Sequence, residues 1–394
     1  MVARAKSGPA GSYRVGKLPR GCSLCVKGAK AVVFVTGACQ FPPTCSWYCP
    51  ISKERRGVPV AYVDELKIVD DGTITHELDS IGAKGVSFTG GDPLATGKAR
   101  EMVFHYLNLV KRAYGPRFHA HLYTNGQGFT EALAGRLAEA GLDEIRFHWL
   151  PGTDSCHDPV LAARSAGLSV GVEIPAIPTR DYLDALVEFL PVLKAAGVEF
   201  LNLNEFEMTE TNSAALRERG FEYDPDTLAS VTGTTGWVRR LLRTLRKARD
   251  LPPSLHYCTT RLKDGVQVRN RYKRRAQRVA EAWESPTGEG LLVYGAARGP
   301  RAALLEVATF VREKTGRLSA SPLLTNAGGG SGADDAGETW EVRFPWHLLG
   351  DGEFVQFLSK LALTAGIVEV LPLDDRPACE FTPVVGGQAG SGWT

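Results

Sequence analysis

The chain has 394 residues, 43% hydrophobic and 23% charged, with 46 Lys and Arg against 44 Asp and Glu. That composition belongs to a globular protein long enough for two domains, and a net charge of +2 gives no global field that demands nucleic acid or membrane. No apolar run approaches the roughly 18 residues of a membrane span, and the basic first twenty residues lack the apolar segment of a secretory signal, so a cytoplasmic setting is expected, in which the eight cysteines serve as metal ligands where clustered and as small buried hydrophobes where isolated.

Residues 1–30 read as a polar extension closed by Cys22-Ser23-Leu24-Cys25, a Cys-x-x-Cys that is half of a metal or redox site. Ala31 to Val35 is an apolar run of strand length that ends in a Thr36-Gly37 turn. Cys39, Cys45 and Cys49 then follow in one loop. A helix is predicted near 71–83. A second strand, 85–89, runs into Gly90-Gly91-Asp92-Pro93. Arg100 to Tyr114 has helical spacing of Met102, Val103, Tyr106, Leu107 and Val110. A third strand, 118–123, ends at Thr124-Asn125-Gly126, and a helix near 129–140 is stopped by Gly141. The fourth strand is 144–149. A loop holding Cys156 and His157 leads to a short helix at 162–166. The fifth strand is 168–174, the amphipathic helix after it is 181–196, and the sixth strand, 198–203, ends in Asn204-Glu205-Phe206-Glu207.

Six strands alternating with helices predict a parallel sheet with right-handed crossovers. Polar, glycine-rich or cysteine-rich clusters end strand after strand, at the edge where α/β sites are built. No Gly-x-Gly-x-x-Gly follows the first strand, so the pattern suits an open or closed barrel better than a dinucleotide fold. Trp237 to Asp250 is predicted as a basic helix, and residues 239–278 hold 14 Lys and Arg. Such a stretch binds RNA or another polyanion, or it is simply two solvated helix faces; without interleaved aromatics the second reading is favoured. Beyond about 290 a strand (291–294), a helix (300–315), a Gly/Ala/Asp-rich gap (326–337), a strand (339–344), a helix (352–365) and a strand (367–371) predict a small α+β unit. The expected organisation is an extension over 1–30, a core with its basic extension over 31–280, and a C-terminal domain over 281–394.

Three close thiolates bind zinc or an iron–sulfur cluster. Structural zinc takes four protein ligands. A 4Fe-4S cluster held by three cysteines keeps one iron open.

The strand and loop TGACQFPPTCSWYCP, followed by a strand ending in GGDP, resemble the radical SAM superfamily. The stretches GCSLCVKGAKAVVFVTGAC, YCPIS, GAKGVSFTGGDPL, HLYTNG, GLDEIRFH, GVEIPAIP and CTTRLKDGVQVRNRYKRRA, spanning roughly 20–278, resemble an archaeal group related to pyruvate formate-lyase activating enzyme. The resemblance implies a partial (β/α)6 TIM-like barrel in which Cys39, Cys45 and Cys49 hold a 4Fe-4S cluster. The open iron would chelate S-adenosylmethionine, and one electron would cleave it to a 5′-deoxyadenosyl radical. It also implies Tyr48 near the adenine and Gly90, Gly91, Asp92 and Pro93 at the methionyl amino group. Thr124, Asn125 and Glu173 would be further cofactor contacts, and a ferredoxin or flavodoxin the electron donor. The substrate stays open between a glycine of a partner protein, an RNA and a small molecule. One departure is that the common spacing is Cys-x3-Cys-x2-Cys, whereas both gaps are longer here.

Other residues carry paired readings. Glu173 is a cofactor contact or half of an ion pair with Arg146. Arg146 and His148 share a face of the fourth strand, and Asn202 and Asn204 share a face of the sixth. Cys22, Cys25 and Cys258, with His256, form a second site for a cluster or zinc, or are free thiols. Cys156 and Cys379 carry no assigned role. The reading from another class is a zinc-binding nucleic-acid module without catalysis.

Overall fold

The computed structural model describes residues 5–40, 45–245, 252–315, 323–326 and 340–386. They belong to two compact units, Met1–Val268 and Arg269–Thr394.

In chain order the first unit contains β1 (Lys6–Ser7), β2 (Tyr13–Val15), α1 (Arg20–Val26), β3 (Lys30–Thr36), β4 (Tyr62–Val63), β5 (Leu66–Lys67), α2 (Asp71–Ser80), β6 (Gly85–Gly90), α3 (Gly97–Tyr114), β7 (His119–Thr124), α4 (Glu131–Glu139), β8 (Glu144–Phe147), α5 (His157–Ser165), β9 (Ser169–Ala176), α6 (Arg180–Ala195), β10 (Phe200–Glu205), α7 (Ser213–Arg217), α8 (Thr234–Leu245) and β11 (Ser254–Cys258). The helices start where side chains can take up free backbone donors. Asp70, Thr96, Thr130 and Thr179 cap α2, α3, α4 and α6, each accepting from the backbone N–H three residues on.

The sheet runs β1-β2-β11-β10-β9-β8-β7-β6-β3-β4-β5. From β3 to β11 every pair is parallel. Spatial order there follows chain order without reversal, so the sheet is wound in one direction, unlike a dinucleotide fold. Among the described residues β3 and β11 do not meet, because β4 and β2 pair antiparallel with them. The large parallel sheet of the α/β expectation is present, and it is open.

Its two faces differ because side chains alternate along each strand. Val33, Val86, Phe88, Leu122, Ile145, Val172 and Leu201 join Leu78, Val103, Leu107, Leu137, Leu186 and Leu241 of the helices in one buried core. At roughly 25 cal/mol per Å² of apolar area removed from water, this layer supplies most of the unit's driving force. The other face carries Lys30, Ser87, Tyr123, Arg146, Glu173 and Asn204, all lining one cavity of about 430 Å³. Laid flat, β3 and β10 would lie roughly 24 Å apart across five strand spacings. Long side chains such as Lys30 of β3 and Arg146 of β8 reach into the same cavity.

Three expectations need revision. The polar extension over 1–30 is structured: β2 pairs with β11, and α1 precedes β3. A seventh parallel strand, β11, extends the predicted six. The helix after Cys156 begins at His157, not at 162. Part of the basic helix predicted to Asp250, residues 246–250, lies outside the described residues, as do 327–337 of the Gly/Ala/Asp-rich gap.

The second unit is a six-stranded sheet with its central strand, Leu292–Gly299, antiparallel to its neighbours. Helix Arg301–Thr315 buries Leu304, Val307 and Val311 in a core with Phe344 and Phe354. Helix Arg269–Val279, which the sequence reading attaches to the core, lies in this unit. No helix among the described residues is long and apolar enough to cross a membrane.

Candidate functional site

The cysteine loop leaves β3 at Thr36 and is held from below by the turn after β6. Gly91 N–H donates to the Thr36 carbonyl (2.7 Å), and Asp92 N–H donates to the Ala38 carbonyl (2.8 Å). A Cβ on Gly90 would stand 2.2 Å from Thr36 O, and one on Gly91 would stand 2.2 Å from Ala38 O. Gly90 also has φ +146°. Both glycines are therefore dictated by the close backbone of the cysteine loop. The sequence reading ascribes their small size to the approach of a ligand.

Asp92 turns the other way. It is 3% exposed. Its Oδ1 accepts from Leu94 N–H (2.8 Å) and its Oδ2 from Asn125 N–H (2.9 Å), while the Thr124 hydroxyl donates to both oxygens (3.2 and 3.0 Å). Burial raises the Asp92 carboxyl, and these donors pull it back. Asp92 thus joins the end of β7 to the cysteine loop.

The cavity is lined by Cys39, Cys45 and Cys49 together with Tyr48, Gly90, Gly91, Thr124, Asn125 and Glu173. Asp92 and Pro93 are not among its lining residues. Cys39 reaches solvent, yet partial desolvation by the cavity walls, with Cys45, Asp92 and Cys49 adding to the rise, pushes its thiol up to about 12. Cys45 is raised for the same leading reason, with Cys49 next. These sulfurs feel one another as a group. The described His, Cys, Asp and Glu donors that converge within 4.8 Å in threes are His119, His121 and Glu144 alone, so the loop thiols are not drawn around a single ion. Three cysteines ringing a cavity, spaced wider than one zinc requires, fit the donor set of a cluster.

Behind the loop lies a second apolar cluster of Tyr48, Ile177, Phe206, Met208, Leu216 and Val231. Asn212 Nδ2 donates to the Tyr48 carbonyl (3.0 Å) and fixes the backbone there. His148 Nδ1 lies 3.1 Å from the Glu173 carbonyl, which can only accept, so that nitrogen carries the proton. Nε2 then accepts from the Tyr48 hydroxyl at 2.7 Å. Burial holds His148 below its ordinary value, in keeping with this neutral tautomer.

The polar inner face is organised by Arg146. Its Nε donates to Glu144 Oε1 (2.7 Å), and its Nη1 donates to Glu173 Oε2 (2.8 Å) and the Tyr123 hydroxyl (3.1 Å). Glu173 also accepts from Asn202 (2.9 Å) and Asn204 (3.0 Å). Both readings of Glu173 meet here, since it pairs with Arg146 and lines the cavity. Burial raises the Glu144 carboxyl, but Arg146, with His119 adding to its effect, outweighs it and brings Glu144 down to about 2.

Lys30, passed over in the sequence, is 6% exposed and lines the same cavity. The sequence clue is a lysine opening an otherwise apolar strand, KAVVFVT.

Cys22, Cys25 and Cys258 are neighbours, and their sulfurs do not all come within 4.8 Å of one another. Asn202 Nδ2 donates to Cys22 Sγ (3.2 Å). Cys25 Sγ donates to Gln267 Oε1 (2.7 Å), and Gln267 Nε2 reaches Cys258 Sγ (3.6 Å). His256 is buried and lines a different cavity, of about 370 Å³. On α8, Arg239, Arg240 and Arg243 face solvent while Trp237, Val238, Leu241 and Leu242 are buried. In the second unit, Arg275 is buried and donates to Pro372 O (2.6 Å) and Asp374 (3.2 Å).

No family model matches the sequence. A candidate glycyl-radical enzyme activating enzyme of Methanocaldococcus jannaschii is 36% identical over 290 residues, which is 71% of this chain and 73% of that protein. GTP 3′,8-cyclase 2 of Mycobacterium tuberculosis is 31% identical over 175 residues, 44% of this chain and 40% of the cyclase. Among solved structures, coproporphyrinogen III oxidase from Escherichia coli, a radical SAM enzyme, gives a TM-score of 0.32 at 10% identity, covering 45% of this chain and 46% of that one. The radical S-adenosylmethionine methyltransferase TsrM from Kitasatospora setae gives 0.36 at 15% identity, covering 62% and 55%. At these scores the structural likeness carries no argument.

Proposed function

Since this chain belongs to the radical SAM superfamily, we propose that it is an activating enzyme that takes a hydrogen atom from a partner protein. Cys39, Cys45 and Cys49 hold the 4Fe-4S cluster. Held there and reduced by a ferredoxin or flavodoxin, such a cluster would supply one electron for reductive cleavage of S-adenosylmethionine to methionine and a 5′-deoxyadenosyl radical, which would end as 5′-deoxyadenosine on taking the hydrogen. The open, singly wound sheet acts as a partial barrel around that chemistry.

The observation that carries this reading is convergence: three thiols, the Gly90–Gly91 backbone and the polar ends of β7 and β9 all line one cavity. The residues divide the work. Gly90 and Gly91 fix the height of the cysteine loop. Asp92 sets the Thr124–Asn125 turn, which lines the cavity and binds the methionyl end. Tyr48 and His148 form a hydrogen-bonded wall. Asn204 and Glu173 face the second cavity, about 160 Å³, that opens beside this wall and takes the adenosyl end. The protein-substrate reading rests on the archaeal relative and its name.

Anaerobically reconstituted protein given dithionite and S-adenosylmethionine should release 5′-deoxyadenosine, measured by liquid chromatography and mass spectrometry. Cys45→Ala should release none. Release at the normal rate by that variant would sink the proposal.

A further inference from the structure

At the opposite edge of the sheet from the cysteine loop, three donors converge that the radical chemistry does not use. His119 and His121 open β7 on one face, two residues apart, and Glu144 opens β8 directly beside His121. One ligand atom from each lies within 4.8 Å of the others. The three are 2%, 0% and 2% exposed.

Their nitrogens are unsatisfied. Neither ring nitrogen of His119 has a hydrogen-bond partner, nor does Nδ1 of His121. An imidazole costs free energy when buried without partners. Each neutral ring has one lone pair and one N–H, so the two rings bring at most two lone pairs, and the orphaned nitrogens point to a missing partner for them. His119 Nε2 stands 3.6 Å from Glu144 Oε2. That exceeds the 2.7–3.2 Å of a hydrogen bond. Two N/O ligands on tetrahedral zinc lie about 3.3 Å apart, from bond lengths near 2.0–2.1 Å. The spacing is thus closer to that of co-ligands than of a bonded pair.

The surroundings support the ligands from behind. Arg146 Nε holds Glu144 Oε1 at 2.7 Å, while Oε2, which accepts a long hydrogen bond from Gly21 N–H (3.4 Å), faces His119. The Arg146 charge is matched on its other side by Glu173. Asp143 Oδ2, which accepts from Lys111 Nζ and Ala120 N–H (2.8 Å each), lies 3.8 Å from His119 Nδ1 and adds negative charge beside the ring without bonding it. Gly21 of α1 covers the site: a Cβ there would come 2.6 Å from His121 Cε1. A cavity of about 550 Å³, lined by His119, Asp143 and Glu144, reaches the site from outside.

We propose that His119, His121 and Glu144 bind one zinc-type divalent transition-metal ion, a site separate from the cysteine loop. Its position at the amino-terminal edge of a parallel sheet suits a structural role, clamping β7 to β8.

The test uses the full-length chain carrying Cys39→Ala, Cys45→Ala and Cys49→Ala, so that the loop cannot take up metal. After addition of zinc and desalting, metal analysis should find one zinc per chain. Zinc-edge X-ray absorption should show nitrogen and oxygen neighbours only. Adding His119→Gln and His121→Gln should weaken zinc binding by more than the roughly 10- to 100-fold that loss of an outer-sphere partner costs. Absence of retained zinc overturns the proposal. So does a sulfur-containing shell, which would place the metal at Cys22, Cys25 or Cys258, and so does unchanged binding in the glutamine variant. The absorption spectrum of the histidine-intact chain decides even if the glutamine variant misfolds.

Discussion

Replacing Arg146 with Met removes one buried cation that serves two buried carboxylates. Arg146 and Glu144 are each 2% exposed in their side chains, and Glu173 is 15%. Methionine keeps much of the apolar stem and removes the charge. Taking one partner from a buried ion pair costs about 3–5 kcal/mol, and with two carboxylates stranded the upper end is expected. At about 1.4 kcal/mol per decade, the opening equilibrium of the surrounding strands should rise by roughly two to four decades. Native-state hydrogen exchange on peptides spanning β8 and β9 reads that directly, without requiring the two units to unfold together. The effect should depend on pH in a fixed direction. In the wild type Glu144 is brought from its ordinary 4.5 to about 2, so its contribution is fully present above 4.5 and lost as pH falls through 2. In the variant Asn202 and Asn204 still donate to Glu173 and His119 still stands beside Glu144, but the charge that chiefly opposes burial is gone, so both carboxyls move up and protonation on acidification relieves the strain. The gap between the two proteins should therefore narrow from pH 7 to pH 4. A change under one decade at pH 7, or a gap that does not move with pH, would refute the idea that Arg146 organises the inner face.

Asp92→Ala leaves the donors at Leu94, Thr124 and Asn125 without their buried acceptor, at about 1–3 kcal/mol for each unsatisfied group. Its melting temperature should drop and proteolysis near residues 124–128 should quicken, with Asp92→Asn intermediate; a melting temperature equal to the wild type would show that the brace is dispensable. For Cys39, a solvent-exposed thiol at about 12 instead of its ordinary 9.0 should react with iodoacetamide at pH 8 roughly 30- to 60-fold more slowly than a free thiol, since the roughly thousandfold smaller thiolate fraction is partly offset by the greater nucleophilicity of a more basic thiolate. Labelling of the metal-free protein followed by peptide mass spectrometry checks this, and labelling at the rate of free cysteine contradicts it.

The parallel sheet was legible because its strands obey a period of two against the helix layer. β11 was not, because it presents only Leu255 and Tyr257 to that layer. Its other positions, His256 and Cys258, looked like site chemistry. The amino-terminal segment looked like a linker because it is polar and rich in glycine; β2 is a strand by virtue of β11, some 240 residues away. Gly90 and Gly91 were legible as a place of close approach, but only the fold reveals that the Thr36 and Ala38 carbonyls do the approaching. Glu173 was narrowed to two roles, and Arg146 was correctly named as the partner in one of them. Lys30 was hidden because a lysine before an apolar run ordinarily marks a solvated strand start. The buried histidines of β7 were hidden for the converse reason: His119 and His121 alternate with Ala120 and Leu122, and nothing local says that Glu144 stands beside them.

The Gly90–Asp92 turn has a consequence for engineering. Its backbone carries the cysteine loop, and its one carboxylate carries the turn after β7, so neither loop is an independent cassette. A cysteine loop transplanted from another scaffold would arrive without its footing unless Gly90, Gly91 and Asp92 came too. Conversely, loop swaps in this chain should preserve those three residues and leave Thr36 and Ala38 in register. The recombination break-points that keep the scaffold intact therefore lie outside this tripod, not at the cysteines themselves.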